Sequence, residues 1–239
     1  SSIGLGGAST TTADATGLIG NFQLNDAAGA VTAEASTNTA ISLNGGNSAD
    51  AMNSGSAMVE NNSTLALARG NVVENVLTAE GTNVTSGVSP ASLSANLSPD
   101  DGVLNASFGV FNEQVQAAAI NATSSNASYA INATSGSGDA LNSASAAVVG
   151  NSVNATAFGN VATNRVTLAS LNGSGNDASA AIFNGQLNSG SVTSSVLGAT
   201  IGTFAAGGFE TASVGVSGNT ISATAVGNFA NSTVTRATR

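Results

Sequence analysis

The chain has 239 residues, of which 7% are charged and 4% aromatic, and four Lys and Arg against thirteen carboxylates give it a formal charge of −9. It contains no Cys, His, Lys or Trp, which removes disulfides, thiolate nucleophiles, Cys-type zinc sites and the commonest general base. A net negative charge repels nucleic acid, and no run of about 20 apolar residues is present to cross a bilayer as a helix.

Hydrophobic residues reach 41%, but Ala and Val dominate them. At about 25 cal/mol per Å² of buried apolar area, such small side chains contribute little each. Stability is therefore expected from backbone hydrogen bonds repeated many times. Whole-chain disorder fits poorly, because Val, Ile and Thr are plentiful and there are only two Pro.

Taken in chain order, SSIGLGGASTTTADATG (Ser1 to Gly17) reads as extended. Residues 1–20 are expected to form a flexible leader able to complete a neighbour's sheet by strand addition. Within it, GLGGAS (Gly4 to Ser9) opens no helix, so a dinucleotide loop is not inferred. A start at Ser1-Ser2 fits a processed secretory precursor. Residues 21–239 are expected to make a single elongated β-solenoid, most regular from about residue 100. Val72 to Leu77 and the stretch around Pro90 and Pro99 interrupt it, since Pro cannot donate to a ladder. Asp100-Asp101, after Pro99, reads as a solvated turn rather than a calcium site.

A spacing of roughly 13 residues links Asp100, Glu113, Asn126 and Asp139, and again Asn151, Asn164 and Asp177. Apolar alternation follows several of these, as in Leu104, Ala106, Phe108 and Val110. Glu113 to Ala122 has some helix propensity, but its place in this rhythm predicts strand. Short strands with regular turn signals, small interchangeable residues and Asn at the corners predict an all-β fold: a parallel β-solenoid (β-helix or β-roll) of short repeated rungs, almost without helix.

The strongest repeat comes last. GNSVNATAFGNVATNRVTLA (Gly150 to Ala169) returns without gaps as GNTISATAVGNFANSTVTRA (Gly218 to Ala237). Val153, Ala155 and Ala157 alternate with Ser152, Asn154 and Thr156, giving one apolar and one polar face. Gly-Asn pairs suit turns, so Gly150, Asn151, Gly159, Asn160, Gly218, Asn219, Gly227 and Asn228 are the expected stacking and turn positions. Phe158 falls on the polar-facing parity and is the candidate surface contact. Leu168 is answered by Arg236, a charge at an inward position near the chain's end. The remaining aromatics are expected to plug the interior or cap its ends. No catalytic, cofactor-binding or metal-binding residue is inferred, and no cofactor.

The pattern N-x-[VI]-x-A-x-A-x-G-N at Asn151–Asn160 and Asn219–Asn228 resembles the holdfast-anchor (HfaD-like) family of stalked α-proteobacteria. It resembles YadA-like head repeats of trimeric adhesins more weakly. The first resemblance implies a non-enzymatic, secreted structural protein on the exterior of the bacterial outer membrane. There, with companion envelope anchor proteins and a curli-type secretion pore, it would tie an adhesive polysaccharide to the cell surface. Asymmetric ends imply a homo-oligomer or head-to-tail fibre. The alternative is a carbohydrate- or surface-binding adhesin head that does not polymerise.

Overall fold

A computed structural model describes residues 2–6, 12–15, 17–47, 49–86, 91–94, 103–172 and 177–238. The chain is a parallel β-solenoid, with no helix among the described residues. Two short strands, β1 (Ser2–Gly6) and β2 (Thr12–Ala15), precede three coils. Coil 1 contains β3 (Gly17–Asn25), β4 (Ala30–Ala35), β5 (Asn38–Gly46), β6 (Met52–Asn53), β7 (Ser56–Glu60) and β8 (Ser63–Gly81). After it come β9 (Asn83–Ser86) and a hairpin of β10 (Ala91–Ser94) and β11 (Val103–Ala106). Coil 2 contains β12 (Phe108–Gln116), β13 (Ala119–Ser125), β14 (Ser128–Asn142), β15 (Ser145–Val149) and β16 (Ser152–Ser170). Coil 3 repeats that course with β17 (Ala180–Asn188), β18 (Val192–Leu197), β19 (Thr200–Glu210), β20 (Ser213–Ser217) and β21 (Thr220–Thr238).

Every strand of coil 2 lies between its counterparts in coils 1 and 3 and pairs parallel to both, in register save for shifts in β14 between Thr134 and Leu141. Among the described strands, only β10 and β11 pair antiparallel. The repeat at Gly150 and Gly218 is therefore one strand stacked on the next: Ser152 pairs with Thr220 and Val153 with Ile221. The 13-residue spacing is not a stacking distance. Asn160 and its partner Asn228 in β21 are separated by 68 positions in the chain, and Asn71 of β8 and Asn160 by 89. The longer step contains the inserted hairpin. Glu113 and Asn164, two members of the 13-residue series, sit inside strands rather than at corners. The segment with helix propensity is strand, forming the end of β12 and the start of β13.

The expected leader is also engaged within the chain where it is described. Ser2–Gly6 pairs with Val76–Glu80 of β8, and Thr12–Ala15 pairs with Asn83–Ser86 of β9. The edge it would donate to a neighbour is held by its own sheet.

Corners stack as the strands do. Positive φ recurs at Ser54, Ser143 and Thr211, at Asn61, Gly150 and Gly218, and at Asn126 and Gly198. Each set holds one corner of successive coils, and Gly and Asn there tolerate this region best. Gly150 has a further reason to be glycine, because a Cβ there would lie 2.5 Å from Asn61 Oδ1.

Inside the coil the apolar side chains form three clusters. Tyr129, Ile131, Leu141, Val148 and Val153 fill the space between β14, β15 and the start of β16. Ile120 and Ala122 meet Ala155 and Ala157, with Ala66 and Ala68 below them. Phe108 and Val110 meet Val166 and Leu168, with Ile19 and Leu77 of coil 1. Phe108 and Tyr129 plug the interior as expected, the Tyr129 hydroxyl pairing with Thr64 Oγ1 at 2.5 Å, whereas Phe22, Phe204 and Phe209, also expected inside or at the ends, are exposed.

Candidate functional site: amide columns, a lateral groove and an open end

The long strand β16 changes faces midway. Val153, Ala155 and Ala157 point inward, then Gly159 and Asn160 are both buried, and Ala162, Asn164, Val166 and Leu168 continue inward. Parity therefore shifts by one at Gly159, and β8 shows the same shift at Gly70. A Cβ on Gly159 would collide with the Gly227 carbonyl oxygen, and one on Gly70 would stand 2.5 Å from that of Gly159. The glycines form a column because the backbones approach too closely for any side chain. So Gly159, Asn160, Gly227 and Asn228 lie within strands, whereas Gly150, Asn151, Gly218 and Asn219 occupy the corner before them.

The shift turns a row of amides into the core. Asn71 donates to Asn160 Oδ1 at 2.9 Å, and Asn160 donates to Asn228 Oδ1 at 2.7 Å. At the corner, Asn62 donates to Asn151 at 2.8 Å and Asn151 to Asn219 at 3.0 Å. Opposite, Asn21 donates to Asn112 at 2.6 Å and Asn112 to Asn184 at 2.7 Å. Gln186 donates to Gln114 and Gln114 to Gln23, at 2.7 and 2.6 Å, so this column runs the other way. Each –NH₂ group has two hydrogens, and the second clamps the facing sheet: Gln23, Gln114 and Gln186 reach the carbonyls of Val72, Val161 and Phe229, which are themselves register partners. Buried amides satisfied in this way stiffen and specify the core, where an unpaired one would be costly.

The coil also climbs as it turns. Asn71 of coil 1 donates to Val115 O of coil 2, and Asn160 of coil 2 to Leu187 O of coil 3. The last sheet of each coil thus faces the gap between its own first strand and that of the coil above. Above coil 3 the described residues supply no upper wall to that gap. Inward residues that are fully covered in coil 2 are half bare in coil 3: Val153 is 0% exposed and its partner Ile221 54%, Val148 is 0% and Val216 50%. Arg236 lies over the buried Leu168, and its guanidinium turns aside to the carbonyl of Ala178.

On the outer wall the shift at Gly159 leaves Phe158 and Val161 pointing outward on either side of it. With Arg69 and Phe229 they line a shallow groove of about 220 Å³. The Arg69 guanidinium carbon stands 5.9 Å from the centroid of the Phe158 ring, within cation–π range. Phe158, the candidate surface contact, is half-buried at one side of this groove. A second aromatic file, Phe22, Phe111 and Phe183, stacks along the first sheet, with Phe111 and Phe183 at 4.4 Å and 12°.

Among the described residues no three His, Cys, Asp or Glu gather as metal ligands. Asp50 has a displaced titration: Asn142 Nδ2 and the Asp139 amide donate to its carboxylate, at 3.0 and 2.8 Å, and hold its pKa below the ordinary value. No helix is long and apolar enough to cross a membrane among the described residues. Sequence reasoning missed the interior amides Gln114, Asn112 and Asn75. Their signal was present as amides recurring at 21, 112 and 184, at 23, 114 and 186, and at 75 and 164, in strands of matching register.

Comparison of the chain with protein-family models, with curated proteins and with solved structures finds no match.

Proposed function

We propose that this protein is a non-enzymatic, extracellular structural and adhesion protein of the bacterial surface, a fibre-forming or anchor subunit. In this reading it works outside the outer membrane with other envelope anchor proteins, reached through a curli-type secretion pore, and ties a holdfast-like polysaccharide to the cell. The observation that carries the reading is the open end. A fold stabilised by like stacking on like ends in coil 3 with its inward Val214, Val216 and Ile221 about half exposed. Stacked ladders of this kind resist both heat and denaturant once their ends are satisfied. Electron microscopy of the purified protein across a concentration series tests it. Denaturant-resistant polymers that grow with concentration are expected; particles that stay single at every concentration overturn the fibre reading.

The groove favours a second reading, a glycan-binding adhesin head that does not polymerise. An aromatic face beside a guanidinium suits a sugar ring and its hydroxyls. Under that reading Phe158→Ala and Phe229→Ala abolish retention on immobilised cell-surface polysaccharide and leave the melting temperature within a few degrees. Unchanged retention by both variants removes the groove from consideration.

A further inference from the structure

The amide columns have a direction, and it tells what fits the open end. In coil 3, Asn184, Asn219 and Asn228 accept from the coil below through Oδ1 and so end their columns in Nδ2 groups, of which Asn219 and Asn228 each give one hydrogen to a carbonyl, Val148 O and Gln186 O; Gln186 ends its own column with an acceptor. In coil 1 the same columns end in the Oδ1 atoms of Asn21, Asn62 and Asn71 and in the Nε2 of Gln23. Donor end and acceptor end are complementary. Two like ends brought together would set donor against donor.

One column also ends out of pattern. Asn71 and Asn160 each reach a carbonyl one coil above, at Val115 and Leu187. Among the described residues no coil lies above Asn228, and it turns back to Gln186 O at 3.2 Å. The register partner of Val115 and Leu187 in coil 1 is Leu24. The carbonyl that Asn228 lacks is thus present at the far end of the same molecule. Likewise Asn75 Oδ1, at the coil 1 end of its column, is buried with no hydrogen-bond partner among the described residues, and the other end of that column is Ser232. Charge agrees. Residues 17–81 carry Asp26, Glu34, Asp50, Glu60, Glu74 and Glu80 against Arg69, whereas residues 180–238 carry Glu210 and Arg236. Pairing two coil 1 ends would crowd like charges; coil 3 on coil 1 avoids it.

We propose that the occupant of the coil 3 end is the coil 1 end of a second copy, and that β1 is the latch that controls this contact. In such a stack the β8 edge of the upper copy lies on β21 of the lower. Both Val76 and Thr233 register with Arg165, so Val76–Glu80 would pair with Thr233–Ala237 of the lower copy. Those are the five β8 residues that β1 holds within the chain. Ser2–Gly6 and Thr233–Ala237 of another copy cannot occupy that edge together. A single chain is closed by its own β1, and assembly exchanges this short strand for the longer β21.

This inference rests on the fibre reading, and two variants separate the fates of the two. Gly4 and Thr78 are register partners, so Gly4→Cys with Thr78→Cys ties β1 down on oxidation; adjacent strands lie within disulfide reach. Thr78 and Thr235 both pair with Thr167, two strands apart within one chain. At about 9–10 Å they are beyond disulfide reach internally, but they become neighbours in the stack. Under mild oxidant, Thr78→Cys with Thr235→Cys is expected to give a covalent oligomer ladder on a denaturing gel. The oxidised latch variant is expected to elongate at least tenfold more slowly than the same protein reduced. Equal elongation by the locked and reduced forms overturns the latch and leaves the fibre reading standing. Polymers without the covalent ladder overturn the mating surfaces. Absence of polymers from the wild-type chain and both reduced variants overturns the inference together with the reading beneath it.

Discussion

Single residues in this fold are constrained by what lies one coil above and below rather than by chain neighbours. Gly159 is the clearest case, since a Cβ there meets the backbone carbonyl of Gly227, which cannot swing aside. Gly159→Ala is expected to cost about 3 kcal/mol or more, as overpacking against backbone does. A urea midpoint shifted by less than a third of that would show the column to be softer than its geometry. Asp50 offers a check by pH. Its pKa is lowered chiefly by the Asn142 amide and then by the Asp139 amide, against a smaller opposing effect of desolvation. A lowered native pKa adds stability that is complete above the unfolded value of about 4 and is lost as pH falls through the native value. Wild type is therefore expected to exceed Asp50→Asn in thermal stability near neutral pH, with the gap closing below about pH 4. A gap independent of pH would remove the carboxylate's charge as the cause.

At the scale of strands and columns, the decisive device is the amide set in the core. Asn160 accepts from Asn71 and donates both to Asn228 and to Leu187 O. Asn160→Ala removes three buried hydrogen bonds and leaves their partners unmet, an expected loss of about 2–3 kcal/mol by chemical denaturation. Asn160→Gln is not a repair, because the longer side chain does not fit a column set by register. How far this was legible in the sequence follows from the same register. Coils 2 and 3 keep one constant offset along their last two sheets, so stacked positions carry like residues and the repeat is visible by eye. Coil 1 stands at a longer offset, and it sets Leu65 beneath Asn154 and Arg69 beneath Phe158, so the same comparison fails there. The parity shift was hidden because Gly-Asn is good turn chemistry; nothing local shows that a strand runs on through Gly159. The spacing near 13 joins residues at corners, Asn126 and Asn151, to residues inside strands, Glu113 and Asn164, so it does not follow the register.

For the whole molecule the two ends are different objects. The coil 1 end is acidic and partly closed by β1; the coil 3 end is apolar and uncovered by the described residues. Exposed strand edges invite uncontrolled pairing, and an inward-pointing charge is one known guard against it. Arg236, set over Leu168, has that position. Arg236→Leu is expected to shorten the lag before polymers appear and to leave the monomer's circular dichroism unchanged; a longer lag would assign Arg236 to the contact itself.

The hairpin of β10 and β11 lies in the step from coil 1 to coil 2, and the described residues of the step to coil 3 hold no counterpart. Three coils at about 4.8 Å each make a repeat of about 14 Å. A thread of these molecules would then carry the hairpin as a row of evenly spaced studs along one side. Fibre diffraction would separate this from a featureless cross-β rod: beside the reflection at about 4.8 Å there would be a meridional one at about 14 Å. The studs would also give the thread a front and a back, so that partners gripping it laterally would find their footholds at that interval and on that face alone.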